Sequence, residues 1–348
     1  MTATFRIFDP LLPAPQADAM LTLCERFGTY RTYADDVTAS EPFAPEVPQR
    51  YDAAANFLRS GGRFGRLGTF EALVSRTNYF RATYAYEKPE TPGIEPFLEY
   101  EGFVEAARAL HGRPLVAPNI VYANLLLPGQ ELAVHTDVPE FRGANRKRYP
   151  QWLMVVMHHS GMFERWRMPI ATGVAYFGTC RGGEFAFYPD GPGAPARELS
   201  VKHNTAVLLD TDTVFHGVDR VAETVPLPAV RPGAELRFEP DTRRWQLRSD
   251  GGEPLGSYAF DDLRFSVSWK AYCYADERER RLVAEHADDL ELQTILGTLE
   301  RDLRDRGELS GPRPSDYDFA MLLIERYIRF PTSAEAASAD APSTNDSR

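Results

Sequence analysis

NIVYANLLLPGQELAVHTD occupies residues 119–137 and reads as two strands around a turn. The first run is short and mostly apolar. Pro128-Gly129 then punctuates the chain, and ELAVHTD follows. His135 and Asp137 stand two apart in that second run. Alternate residues of a strand point to one side, so both side chains can reach a common point. Working outward, the same texture recurs in QWLMVVMHHS (151–160), GVAYFG (173–178), GEFAFYP (183–189), NTAVLLD (204–210), VFHGVDRVAE (214–223) and LRFSVSWKAYCY (263–274). Many short apolar runs separated by Gly, Pro and Asp turns predict a sandwich or barrel, not a parallel α/β sheet. The β core is expected over about 118–274.

The flanks read differently. Apolar residues at helical spacing predict a helix over 15–27, with short helices at 52–59 and 69–75. YFRATYAY (79–86) alternates like a half-buried strand, and 95–112 reads as a helix stopped by Gly112 and Pro114. Beyond 276, DERERRLVAEHADDLELQTILGTLERDLRDRG predicts one long helix or two. SDYDFAMLLIERYIRF (315–330) predicts another, with Ser315 as its N-cap. The small, polar stretch 331–348 reads as a disordered tail. The expectation is one domain over 1–330, a mainly β core wrapped by N- and C-terminal helices.

Composition narrows the function classes. Lys and Arg number 39 against 50 Asp and Glu, a net charge of −11. Such a chain offers no overall field for nucleic acid or an anionic membrane. The cysteines, Cys24, Cys180 and Cys273, are far apart and form neither a disulfide framework nor a thiolate metal site. They suit a reducing compartment, and the N-terminus shows no signal-peptide pattern, so a cytoplasmic location is expected. No apolar stretch approaches the roughly 20 residues of a membrane helix.

The candidate chemistry lies in His135, Asp137 and His216, the last within DTDTVFHGVDRV (210–221). Two imidazoles and one carboxylate on one face of an iron ion leave three coordination positions open. A co-substrate and O2 can then meet at one metal. An H-x-D pair alone is weak evidence; the turn before it and the β-rich stretch behind it strengthen the reading.

Taken in order, PGQELAVHTD (128–137), GGEFAFYPDG (182–191), HGVDRV (216–221) and RFSVSWKAY (264–272) make this chain resemble the Fe(II)- and 2-oxoglutarate-dependent oxygenases. The match is best for the branch of prolyl-hydroxylase-like and small-molecule hydroxylase enzymes, and it covers about 120–274. The resemblance implies a distorted double-stranded β-helix of jelly-roll, cupin-like type. It implies Fe(II) held by His135, Asp137 and His216, with 2-oxoglutarate and O2 as co-substrates. The family's R-x-S motif falls on Arg264 and Ser266, which would bind the distal carboxylate of 2-oxoglutarate; the planar Arg fork suits that task. Tyr122 and Asn124, also two apart, stand where family members place a polar co-substrate contact, and a purely structural role stays equally open for them.

One departure stands out. Arg264 follows His216 by 48 residues, a longer interval than the family uses. The extra segment, about 232–258, reads as an inserted hairpin overhanging the barrel mouth. Arg220 is nearer in sequence, but the strand after Arg264 is apolar and long enough to be core, so Arg264 is preferred. His158 and His159, read on a strand, read as structural, and His203 as surface. Arg142, Arg146, Lys147 and Arg148 form a charged run after the metal strand. It reads as a solvated face, or as one or two cations that attract an anionic substrate.

The expected reaction is oxidation of a C–H bond of a small molecule, an amino acid or a natural-product intermediate, with release of succinate and CO2. Desaturation and oxidative ring closure diverge only later from hydroxylation and stay open. Asp137 argues against halogenation. The alternatives are a protein or peptide substrate, a cupin-like metalloenzyme without 2-oxoglutarate, and a binding protein without catalysis.

Overall fold

The computed structural model describes residues 5–33, 39–60 and 70–331. The elements run β1 (Phe5–Phe8), α1 (Ala14–Phe27), β2 (Thr29–Thr32), α2 (Tyr51–Ser60), α3 (Phe70–Thr77), β3 (Phe80–Tyr86), α4 (Glu95–Leu98), α5 (Glu101–His111) and β4 (Leu115–Leu126). Next come β5 (Leu132–His135), α6 (Gln151–Ser160), β6 (Ile170–Phe177), β7 (Phe185–Phe187), β8 (Arg197–Leu199), β9 (Thr205–Leu209) and β10 (His216–Val218). The chain closes with β11 (Glu235–Glu239), β12 (Arg244–Arg248), β13 (Pro254–Tyr258), β14 (Arg264–Tyr274), α7 (Glu277–Ala284), α8 (Leu292–Asp305) and α9 (Asp316–Tyr327).

The strands form a large sheet in the order β1-β9-β6-β14-β4-β3-β2-β11-β12-β13 and a small sheet in the order β8-β7-β10-β5. Pairing is antiparallel throughout both. This is a mainly β jelly-roll architecture with helices on its flanks.

Strand alternation explains how the large sheet serves two neighbours. Phe265, Val267, Trp269 and Ala271 of β14 join Val121, Ala123 and Leu125 of β4 in one apolar cluster with α1, α4 and α5. The other face of β14 carries Arg264, Ser266, Ser268 and Lys270, all polar. They sit opposite Tyr176, Val174 and Thr172 of β6 and Asn124, Tyr122 and Ile120 of β4. One face is therefore hydrophobic core and the other is a polar interior.

A second apolar cluster gathers α6, α8 and α9 around Val134 and Phe215. Each of those two residues precedes a candidate ligand histidine. Their opposite orientation anchors both ligand strands to the helical layer.

The structure departs from the sequence reading in four places. QWLMVVMHHS is a helix, α6, not a strand. Gln151 to Met157 are all buried, and a helix buried all round shows no amphipathic period to distinguish it from a buried strand. β1, at one edge of the large sheet, and β2, inside it between β3 and β11, add two strands in a region read as helical apart from one strand. They are only four residues each, too short for alternation to register. The helix expected over 95–112 is broken into α4 and α5 at Glu99 and Tyr100. The segment after His216 is a three-stranded meander, β11 to β13, which pairs with β2 and widens the large sheet. Ser315 accepts a hydrogen bond from the Asp318 amide, as its N-cap role requires. The region 276–307 holds two helices. The expected tail lies outside the described residues beyond Pro331.

Candidate metal centre

The short strands β5 and β10 pair so that His135 and His216 are direct cross-strand neighbours. Their ring centroids are 4.5 Å apart. His135 Nδ1 lies 2.7 Å from the Ala133 carbonyl, and His216 Nδ1 lies 2.9 Å from the Val214 carbonyl. A carbonyl can only accept, so both Nδ1 atoms carry the proton and donate it. Both Nε2 atoms are left with lone pairs for a metal. Asp137 Oδ1 lies 3.6 Å from each Nε2. The three ligand atoms all fall within 4.8 Å of one another. Two imidazoles, each with its Nδ1 on a backbone carbonyl, and one carboxylate converging on a point fit a divalent transition metal with open positions.

The electrostatics agree with the geometry. Burial, and then the neighbouring His216, push the His135 imidazole below its ordinary value, which keeps it neutral. Burial alone would raise the Asp137 carboxyl. The Lys270 ammonium and the two imidazoles outweigh it and hold the group well below the usual carboxylate range.

The H-T-D segment is clamped from several elements. The Asp137 amide donates to the Thr211 carbonyl at 2.8 Å. Arg50, just before α2, donates to the Thr136 carbonyl at 2.8 Å while forming a fork with the buried Asp52. His159 of α6 lies 3.5 Å from the Thr136 hydroxyl. Lys270 Nζ lies 2.6 Å from Asp137 Oδ2.

Arg264 is 2% exposed. Its Nε donates to the Gly183 carbonyl at 2.7 Å and its Nη1 to Ser266 Oγ at 3.1 Å. Its Nη2 is buried without a hydrogen-bond partner, and so are the Tyr176 hydroxyl and Asn124 Oδ1. The guanidinium lies 5.2 Å from the Tyr176 ring centroid. Gly183 has φ of 71°, and a Cβ there would stand 2.8 Å from Arg264 Cδ, so the glycine is what admits the arginine. Buried, unpaired polar atoms in a native fold call for a ligand or water. A buried arginine with one free nitrogen fits a carboxylate. Arg220, the nearer arginine in sequence, faces the buried Glu131 instead, at 3.7 Å.

Two of the three candidate ligands open onto a cavity of about 760 Å³. His135, Asp137 and Lys270 line it, with Tyr33, Phe57, Tyr79, Arg81, Tyr122, Lys147 and Tyr272 among its walls. Tyr122 stands under Arg81, whose guanidinium is 3.8 Å from the ring centroid. Arg264, Ser266 and Asn124 are not among the lining residues and lie deeper between the sheets. Of the charged run, Arg146 and Lys147 line the cavity. Arg142 turns away to Asp288, and Arg148 to Glu41 and Glu291. No residue of the meander lines this cavity among the described residues.

Sequence reasoning missed Tyr176, Gly183, Thr172, Thr211 and Lys270. Lys270 had a usable signal: it stands six residues after Arg264, an even number, so it shares the inward face.

No protein-family model matches the chain, and no curated protein matches it. Solved structures do resemble it. A prolyl hydroxylase from Trichoplax adhaerens, in complex with a hypoxia inducible factor peptide fragment, is 12% identical with a TM-score of 0.41, over 81% of this chain and 87% of that one. SnoK, a non-heme alpha ketoglutarate dependent carbocyclase from nogalamycin biosynthesis, is 11% identical with a TM-score of 0.39, over 81% and 87%. HygX from Streptomyces hygroscopicus, with nickel and 2-oxoglutarate bound, is 10% identical with a TM-score of 0.38, over 78% and 83%. At such values the chemistry has to be read from this chain's own side chains. No helix among the described residues is long and apolar enough to cross a membrane.

Proposed function

We propose that the chain is an Fe(II)- and 2-oxoglutarate-dependent oxygenase that oxidises a C–H bond of a small, carboxylate-bearing molecule, releasing succinate and CO2. The observation that carries this reading is the inward face of β14. One end of it bonds the metal carboxylate through Lys270, and the other holds a buried arginine with an unpaired Nη2 beside an unpaired tyrosine hydroxyl. A dicarboxylic keto acid suits such a face, with one end for a metal and one for an arginine.

In this reading His135 and His216 offer Nε2, and Asp137 offers Oδ1, to the iron. Arg264, set by Gly183 and Ser266, receives the distal carboxylate, with Tyr176 as a second donor. When bound, iron and 2-oxoglutarate together supply the activation of O2. The protein's part is to hold geometry and keep out bulk water. The cavity walls hold the substrate beside the triad. Arg146 and Lys147 at those walls favour an anionic group. At about 760 Å³ the cavity is in the range that holds drug-sized ligands, so a natural-product intermediate suits it better than a free amino acid.

The test is anaerobic titration of the Fe(II) protein with 2-oxoglutarate, then admission of O2 and assay of succinate. Saturable binding followed by succinate formation is expected. Metal binding without any 2-oxoglutarate binding overturns the proposal in favour of a metalloprotein of another kind.

A further inference from the structure

Lys270 Nζ lies 2.6 Å from Asp137 Oδ2, 3.1 Å from Thr172 Oγ1 and 3.4 Å from Thr211 Oγ1. An ammonium has three N–H donors, and these contacts use all of them. The two threonine hydroxyls are themselves 2.7 Å apart. They hold the ammonium in place beside the carboxylate. The same carboxylate presents its other oxygen, Oδ1, at 3.6 Å to both histidine Nε2 atoms. Asp137 is therefore divided: one oxygen faces the imidazoles and the other is taken by a cation. An ordinary ion pair would need only the charge. This one assigns each oxygen a separate partner.

We propose that Lys270 is a positioning residue that restricts Asp137 to one-oxygen ligation and supplies positive charge for a dianionic co-substrate at the metal. The inference rests on the metal-centre reading above. Two consequences run in opposite directions. Without Lys270, Oδ2 is free to join the metal, and a like charge beside the metal is gone. Both changes favour the metal. For 2-oxoglutarate both are unfavourable, because it loses an attracting charge and competes with Oδ2 for a coordination position. A lysine that merely propped up the site would, when removed, weaken both ligands together.

The experiment titrates the full chain anaerobically with Co(II) alone, then with 2-oxoglutarate. Wild type, Lys270→Met, Lys270→Gln and His135→Ala are compared, and thermal melts confirm folding. Lys270→Met should bind Co(II) at least as tightly as wild type, and 2-oxoglutarate on the order of tenfold or more weakly, the scale set by losing one attracting charge close to a dianion. Lys270→Gln keeps an N–H for Oδ2 without the charge and should fall between. Weakening of both ligands in Lys270→Met, or unchanged 2-oxoglutarate affinity, overturns the proposal. Should Lys270→Met not fold, Lys270→Gln decides: weaker 2-oxoglutarate with undiminished Co(II) supports the inference, and any other pattern overturns it. A wild type that ignores Co(II), or a His135→Ala variant that binds it normally, sinks the metal-centre reading instead.

Discussion

The small sheet and the meander occupy neighbouring stretches of chain and do opposite things. β10 is three buried residues long, and its first, His216, faces its cross-strand partner His135. The meander has three strands of five residues and buries Leu236, Trp245 and Leu247 completely. Trp245 packs on Tyr30 and Phe238, with centroids 5.6 and 5.2 Å away. Yet no meander residue lines a described cavity. Tight packing is therefore no guide to the site. The site lies where polar inward faces of both sheets converge, while the meander extends one sheet past β2.

The largest effects should come from the small sheet's side of that comparison. His135→Ala, Asp137→Ala and His216→Ala should each abolish turnover and weaken metal binding, with the fold kept, as judged by circular dichroism. In the proposed reading each removes one of three ligands from an open site. A variant with near-native activity would remove its residue from the triad. Arg264, which closes the meander's insertion, should come next. In the proposed reading Arg264→Leu would strand a buried carboxylate, and breaking such a pair costs ~3–5 kcal/mol, weakening 2-oxoglutarate by a factor on the order of 10²–10⁴. Arg264→Lys should lie between, having charge without the fork. Arg220→Leu should leave 2-oxoglutarate affinity nearly unchanged, because Arg220 faces Glu131. Titration of the three variants reads this directly, and the reverse order would move the anion site to Arg220.

Much of this architecture was legible in the sequence because strands with two different faces leave a period of two. RFSVSWKAY shows it: the polar members point inward and the apolar ones reach the helical layer. The H-x-D spacing placed His135 and Asp137 within reach of a common point, although β5 ends at His135 and Asp137 lies two residues past it; the structure brings His216 to them. What could not be read was pairing between distant segments. Nothing local says that His216 lies opposite His135, or that β2 receives the meander. α6 was hidden by uniform burial. The inward face of Lys270 could be read from its even spacing to Arg264, but its partner could not, because Asp137 lies 133 residues away.

A smaller effect, visible only as pH changes, is expected at Asp212. This residue is fully buried behind the centre, and neither carboxylate oxygen has a hydrogen-bond partner. Burial, helped by the charge of Asp210 and opposed by Lys270 and Arg167, pushes its carboxyl up to about 8. In the unfolded chain an Asp ionises near 3.9. Between those values the unfolded state loses a proton that the folded state keeps, so stability falls as pH rises. Asp212→Asn should therefore raise the melting temperature at pH 8 relative to wild type and change it little at pH 3. Equal melting temperatures at pH 8 would show that Asp212 is ionised in the fold and has a partner.

The smallest effect on binding belongs to the meander, and its near absence is what the comparison predicts. Arg244 donates to Ser257 Oγ and to the Ser257 carbonyl, each at 2.8 Å, on the exposed face of β12 and β13. Such exposed bonds contribute about 0.5–1.5 kcal/mol at most, since water competes for both partners. Arg244→Ala should thus lower the melting temperature slightly and leave Co(II) and 2-oxoglutarate affinities at wild-type values. The measurement is one thermal melt and the same two titrations. A loss of 2-oxoglutarate affinity greater than a few fold would mean that the meander reaches the centre through β2, β3 and β4, the strands that separate it from Arg264 in the large sheet. The division between a site-bearing sheet and a purely structural extension would then fail at that path, and Arg264 would be the first residue to inspect for displacement.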